Sequence, residues 1–488
     1  MSTKTENKAR PQRKATLAES LIVIAFMLFV LCFGSGVAGI NVRVCLIICI
    51  FFDMFMAWRM GYKWSDCMQT ISKKIGPLST LFMILLGIGF VIGTWMMAGT
   101  VPVLVAWMAE AINPNFTIML TFLFCAVLAA AIGSNFTTGG TIGLVMFNVA
   151  MVQGLPPVVA AAAAASGSAF GSYLSPVADQ PNNCASVCGY KTNDVIKELS
   201  LPVGIAVVIT CIIYFIIGLQ GNTEIDVAAQ TADLVNAVFD GYSGSLVVLL
   251  PILVVVVMSF TSLPSFVTLF ASGLMAALVG IFVQGFTFKD ATTVAWSGFK
   301  GAMLGEDVLP MLSTLVSRGG MSSMLEGIIF IFLCVVCTSM MSHMGCFDFL
   351  GKVFGNFKTL GGLNVFANIY VMLCALVTAD MAPVHVIVSE TLMKPYAKLG
   401  YSPKKAMAVS IAASRWITLC LPWSFPAVYM ATLFDQSVVA MIPAAVFHPL
   451  VIIAQIVLTY IGVGNQKLTA EEAERFGVAL PEAETAQS

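Results

Sequence analysis

The segment Gly133-Ser134-Asn135-Phe136-Thr137-Thr138-Gly139-Gly140-Thr141 sets eight polar or glycine residues among nine in the middle of the apolar stretch 116–153. In hydrocarbon every freed backbone group must find a partner, so an unwound Gly-rich stretch survives only where it lines a buried polar cavity. Hydroxyls, amide oxygens and freed carbonyls are hard ligands that suit a dehydrated alkali cation, and exposed helix ends can in turn hold an anionic group. Ser134, Asn135, Thr137 and Thr138 are therefore candidate ligands. The competing role is a small-residue face for close helix packing, which rarely concentrates so many polar residues.

A second break runs from Ser166-Gly167-Ser168 through Gly171-Ser172-Tyr173-Leu174-Ser175-Pro176-Val177-Ala178-Asp179-Gln180-Pro181-Asn182-Asn183. Two prolines and a carboxylate cannot continue a lipid-facing helix. Asp179 leads the candidates, with Ser175 and Asn182 beside it. A buried carboxylate binds a cation when ionised and a proton when neutral, and desolvation makes the two ligands compete. A cation is thus expected at the Asp179 region, with Na+ as the candidate; a plain helix cap is the competing role.

The second half offers Thr378-Ala379-Asp380-Met381-Ala382-Pro383, then His385, and a last break at Leu421-Pro422-Trp423-Ser424-Phe425-Pro426. Thr378, Asp380 and Ser424 join the candidate ligands, with Asp179, Asp380, His343 and His385 as candidate proton carriers. Arg415 lies in the apolar run before the last break, where a charge costs several kcal/mol. A carboxylate must compensate it, either of the protein, with Asp380 as the candidate, or of a bound anion. Asp53 reads as a scaffold charge paired with Arg43 or Arg59.

These segments recur because the chain repeats itself. At an offset of 246 residues and without a gap, Gly99 matches Gly345, Ala129 matches Ala375, Gly154 matches Gly400, Pro157 matches Pro403, Ala162 matches Ala408, Ser168 matches Ser414 and Pro176 matches Pro422. Asp380 overlays Ser134, so one half offers a carboxylate where the other has a hydroxyl. Duplicated halves with broken helices are the signature of a secondary transporter whose site lies where the breaks meet.

The 488 residues are 59% hydrophobic and 10% charged, with a mean hydropathy of +0.93, which excludes an ordinary soluble domain. Lipids are thus expected partners, and the net charge of −1 gives no reason to expect nucleic acid. Apolar spans run at 17–40, 42–60, 78–112, 116–153, 156–185 and 199–220, and again at 242–260, 264–284, 324–350, 362–395, 405–433 and 437–464. If one segment per half is a hairpin, either 78–112 or 116–153 in the first, five crossings remain and the repeats are inverted. The expected fold is an all-α polytopic membrane protein of two inverted repeats, about five transmembrane helices plus a hairpin each, with broken helices at the midplane.

The expected organisation is a basic tail (1–16), a first repeat (17–220), an acidic external linker (221–240), a second repeat (241–464) and a polar tail (465–488). Lys and Arg near span ends place both termini in the cytoplasm, although Lys289, Lys300 and Arg318 run against that orientation. Lys4, Lys8, Arg10, Arg13 and Lys14 before Leu21–Phe33 have the layout of a signal peptide, but the next apolar stretch follows at Val42, so retention as an anchor is expected. The thirteen cysteines sit mostly in apolar runs and read as packing, the Cys334/Cys337 pair included. The pair Gly351-Lys352 lacks the rest of a Walker A motif, and no hydrolytic set or metal cluster stands out, so an ion gradient is the expected driving force and catalysis is not expected.

At these residues the chain resembles the NhaC-type antiporters of the ion transporter superfamily. The resemblance rests on Ile92-Gly93-Thr94-Trp95 with Gly99-Thr100-Val101-Pro102, Gly139-Gly140-Thr141-Ile142-Gly143, Gly171 to Asp179, Thr378-Ala379-Asp380 and Leu421-Pro422-Trp423, and covers roughly residues 17 to 464. It implies Na+/H+ exchange in a bacterial cytoplasmic membrane with no cofactor beyond the coupling ions, or exchange of organic acids such as malate and lactate, and in some relatives amino acids. The family's Gly-Asp-Lys is Gly171-Ser172-Tyr173 here, and its Ser-Asp-Thr-Thr is Ala178-Asp179-Gln180-Pro181. One of two expected carboxylates is therefore missing, which brings an organic substrate held by Arg415 forward as the alternative. A homodimer is compatible with this reading and not specified by it.

Overall fold

The computed structural model describes residues 12–35, 38–76, 78–220, 227–259, 261, 263–305, 308–346 and 357–479. Lys4, Lys8, Arg10, Glu224, Asp226 and the Gly351-Lys352 pair lie outside them. Apolar sequence with Gly and Pro punctuation produces helices throughout, and among the described residues the only ladder contact is an isolated bridge between Tyr401 and Lys467.

Helix α1 (Leu17–Phe29) opens on a capping box between Thr16 and Glu19, and Arg13 grips the Glu19 carboxylate at 2.7 Å. α2 (Val42–Arg59), α3 (Trp64–Ile75) and α4 (Leu78–Met97) follow. The left-handed Gly99 turns the chain into α5 (Thr100–Ala111), and α6 (Pro114–Ile132) ends on the left-handed Gly133. α7 (Asn135–Thr138) passes through a wide turn at Gly139–Gly143 into α8 (Leu144–Val152). α9 (Pro157–Ala169) and α10 (Gly171–Leu174) stop at Ser175, α11 (Asp179–Cys188) restarts, and α12 (Thr192–Leu219) closes the half.

The second half holds α13 (Val227–Gly241), α14 (Leu250–Ser259), α15 (Ser265–Phe282), α16 (Phe288–Ser297), α17 (Pro310–Val316), α18 (Leu325–His343), α19 (Leu360–Thr378), α20 (Met381–Thr391), α21 (Met393–Lys398), α22 (Lys404–Cys420), α23 (Phe425–Phe434), α24 (Val438–Met441), α25 (Phe447–Tyr460) and α26 (Ala470–Phe476). Eight described helices are long and apolar enough to cross a membrane, or up to eleven if each of three bent pairs is one span. The chain is an all-helical polytopic integral membrane protein. The expected linker is helical from Val227, so its described part is not a loop.

The internal duplication is written into the backbone. Shifted by 246, α6 falls on 360–378, the bounds of α19. The left-handed residues repeat at the same offset: Gly99 (φ 76°) with Gly345 (74°), Gly133 (77°) with Ala379 (53°), Gly154 (68°) with Gly400 (78°) and Gly189 (67°) with Asp435 (53°). Ala379 and Asp435 are the non-glycine residues with positive φ among those described, and both stand where the first half has glycine. An L-residue there costs roughly 1–2 kcal/mol, so the repeated geometry outlasts the residue type that made it easy.

By contacts the chain forms two compact units that cut across the sequence halves. The first comprises Met1–Phe82, Glu326–Asn356 and Val377–Ala379; the second comprises the remainder. Within the first, Asp53 is 2% exposed and accepts a hydrogen bond from Cys337 Sγ at 3.2 Å, while Arg43 pairs with Glu326 at 2.6 Å. The expected pairing of Asp53 with Arg43 or Arg59 is therefore replaced, among the described residues, by a thiol contact from α18. His343 Nδ1 lies 3.0 Å from Thr70 Oγ1, with its ring 4.9 Å from that of Tyr62. Thr378, the last residue of α19, also belongs to this unit and is half-buried.

Within the second unit the C-terminal segment is docked. Ser402 N–H donates to Gln466 O at 2.9 Å and Leu468 N–H to Gly400 O at 3.0 Å, while Ala397, Leu468 and Ala473 form a small core with Phe476 and Val478. Glu472 accepts from Ser402 Oγ at 2.7 Å and Tyr190 Oη at 3.0 Å. The polar composition of 465–488 conceals this, because the docking uses a few apolar side chains and backbone groups.

Candidate functional site

The breaks of the second unit meet one another. Gly133 ends α6 with φ 77°, a value that glycine reaches without penalty, and Ser134 caps α7 by accepting Thr137 N–H at 3.2 Å. A methyl group on Gly133 would lie 2.9 Å from the backbone nitrogen of Ala178, so the first break touches the second backbone to backbone. The last break joins the first: the Phe136 ring lies 4.6 Å from that of Phe425 at a tilt of 47°, and Tyr429 Oη donates to Phe136 O at 2.6 Å. His385, fully buried on α20, lies 2.8 Å from Ser410 Oγ on α22 and 3.2 Å from Gln180 Oε1 on α11.

Asn135, Thr137, Thr138 and Ser175 are buried at these junctions. Thr137 Oγ1 is 3.0 Å from Ser134 Oγ, but no described residue hydrogen-bonds to either amide atom of Asn135, to Thr138 Oγ1 or to Ser175 Oγ. Most buried polar atoms are paired, because leaving one bare costs about 1–3 kcal/mol. The three oxygens among them therefore keep uncommitted lone pairs, while Asn135 Nδ2 keeps its N–H groups.

Two candidates are committed elsewhere. Asn182 is exposed, donates to Pro176 O at 2.9 Å and Ala178 O at 2.8 Å, and accepts from Thr192 Oγ1 at 2.6 Å, so its amide braces the second break. The buried Ser424 hydroxyl donates to Thr418 O, closing the turn that ends α22. The two carboxylates differ from the expected burial. Asp179 is exposed in the first turn of α11, and Asp380 is exposed as the cap of α20, accepting Ala382 N–H at 3.3 Å. Each stands at the positive end of a half-helix that follows a break.

Arg415 is 3% exposed. Its guanidinium donates to Ser172 Oγ, its Nε has no partner among the described residues, and no described carboxylate forms an ion pair with it. The expected pairing with Asp380 does not form, because Asp380 is held at the start of α20. Beside this site Tyr173 Oη lies 2.7 Å from His448 Nδ1, and His448 Nε2 has no partner among the described residues. Sequence reasoning passed over Gln180 and His448. Gln180 stands in the second break without being singled out and His448 lies in no motif, and each gains a role through a partner more than 200 residues away.

Comparison with known proteins adds an independent line. The model of the Na+/H+ antiporter family matches residues 191–463. An uncharacterised Na+/H+ antiporter of Haemophilus influenzae is 25% identical over 93% of this chain and 98% of its own length. The Na+/H+ antiporter NhaC of Alkalihalophilus pseudofirmus is also 25% identical, over 93% of this chain and 98% of its own. The malate-2H+/Na+-lactate antiporter of Bacillus subtilis is 25% identical over 95% and 99%.

Proposed function

The chain belongs to the Na+/H+ antiporter family, and we propose that it exchanges Na+ for H+ across a bacterial cytoplasmic membrane by alternating access. The carrying observation is that the breaks touch one another and that Asn135, Thr138 and Ser175, buried on two of them, keep oxygens that no described donor occupies. Such oxygens replace part of the hydration shell of an alkali cation. Asp179 and Asp380, accessible at half-helix starts, supply charge that a proton neutralises. In this reading the protein is a carrier rather than an enzyme, needs no cofactor beyond Na+ and H+, and has cytoplasmic termini.

The test uses purified protein in liposomes with an acidic lumen and an internal pH dye, with Na+, Li+ or K+ added outside. Na+-dependent alkalinisation is expected, lost in Asp179→Asn and requiring at least about tenfold more Na+ in Asn135→Leu. No cation-dependent response in the wild type overturns the reading.

One observation favours a second substrate class. A buried guanidinium without a carboxylate is costly, and among the described residues the Arg415 guanidinium hydrogen-bonds to the Ser172 hydroxyl and to no carboxylate. A small organic carboxylate moving with Na+ or H+ would complete it, in keeping with the name of the malate-lactate relative. Uptake of labelled malate or lactate driven by a Na+ gradient, abolished in Arg415→Ala, distinguishes this reading from simple ion exchange.

A further inference from the structure

A separate polar cavity lies among the ends of α12, α22 and α25 and the turn at 461–466. It measures about 440 Å³ with its mouth included, and Lys197, Glu198, Lys405, Gln455 and Gly464 contribute to its walls. Lys405 is 7% exposed, and its ammonium donates to Thr459 Oγ1 at 3.2 Å and Asn465 Oδ1 at 2.5 Å. An ammonium has three protons, so one remains for a ligand. Gln455 is 3% exposed, yet neither its Nε2 nor its Oε1 has a partner among the described residues. The wall thus presents a buried cation, a carboxylate at Glu198, and an amide with both its donor and its acceptor uncommitted.

Glu198 and Lys405 already attract one another across the wall, so a lone anion would compete with Glu198 for Lys405 and a lone amine would compete with Lys405 for Glu198. A small zwitterion satisfies both without adding net charge, its carboxylate on Lys405 and the Gln455 amide N–H, its ammonium on Glu198 and the Gln455 carbonyl. We infer that this cavity is a binding site for a small zwitterion of α-amino-acid type, distinct from the broken-helix site. Arg415 is ten residues further along α22 than Lys405, ~15 Å at the helical rise, so the two sites are separable by mutation. The inference does not depend on what the exchanger carries.

The experiment follows thermal unfolding of the full-length protein in detergent, at fixed ionic strength, as glycine or alanine is titrated. Acetate and ethylammonium serve as probes carrying one charge each. A saturable stabilisation by the zwitterions alone is expected, with apparent affinity at least about tenfold weaker in Gln455→Leu and Lys405→Met and unchanged in Arg415→Gln. Should Lys405→Met not fold, Gln455→Met keeps the side-chain length and reads the same site. An equal response to acetate, a wild-type response in the cavity variants, a response lost only in Arg415→Gln, or no saturable response overturns the inference.

Discussion

The contact between the first two breaks is narrow enough to test with one methyl group. In Gly133→Ala the new carbon would sit 2.7 Å from Val177 Cγ2, 2.9 Å from Ala178 N and 3.0 Å from Val177 C. Two of those atoms are backbone, so a rotamer change cannot relieve the overlap. Left-handed strain on alanine costs roughly 1–2 kcal/mol and overpacking about 1–3 kcal/mol, giving a loss of roughly 2–5 kcal/mol. The register partner isolates the first cost, because Ala379 already holds φ 53°. Ala379→Gly should stabilise by about 0.5–1 kcal/mol, the relieved strain being partly offset by glycine's freedom in the unfolded chain. Denaturant or thermal unfolding in detergent reads both changes, and Na+-dependent proton flux in liposomes reads the consequence. Gly133→Ala should lose most of that flux, since the overlap pushes the Asn135 and Thr138 segment away from Ser175. Wild-type stability and flux in Gly133→Ala would refute the reasoning that these breaks are held in register by backbone contact.

Two further outcomes follow from the same geometry. Ser172→Asp sets a carboxylate beside Arg415, where an ion pair at ~4 Å gains about 4 kcal/mol at an effective dielectric of 20 against a desolvation cost of several kcal/mol; it should block uptake of any organic carboxylate while Na+-dependent proton flux persists, as tracer uptake and the pH dye will report. Glu472→Gln weakens charged hydrogen bonds from Tyr190 and Ser402, each worth roughly 1.5–3 kcal/mol, so hydrogen exchange should speed up in α26 and spare α6.

Hydropathy and Gly/Pro punctuation act locally, and what depends on them was legible without coordinates. The membrane class, the breaks at Gly133, Ser175, Asp380 and Leu421, and the register of the duplication all belong there, because a chain in hydrocarbon must either satisfy its backbone within a helix or stop at a residue that permits it. The persistence of left-handed geometry at Ala379 and Asp435 was hidden, since neither residue type announces a positive φ. So was the docking of 465–478, which depends on contacts with residues that composition does not connect to it.

Tertiary packing decided which polar groups remain available. Asn135 and Asn182 carry the same amide, yet the first is buried without a described partner while the second spends its groups on Pro176, Ala178 and Thr192. Asp179 and Asp380 have the sequence context of buried carboxylates and emerge exposed, because the half-helices they begin put their first turns at accessible ends. Arg415 faces Ser172 across 243 residues of chain, and His385 faces Gln180 across 205. Sequence therefore determined where the membrane helices break and which residue types stand at the breaks. Only the packing of distant helices determined which hydrogen bonds are already made, and so which atoms are left for an ion.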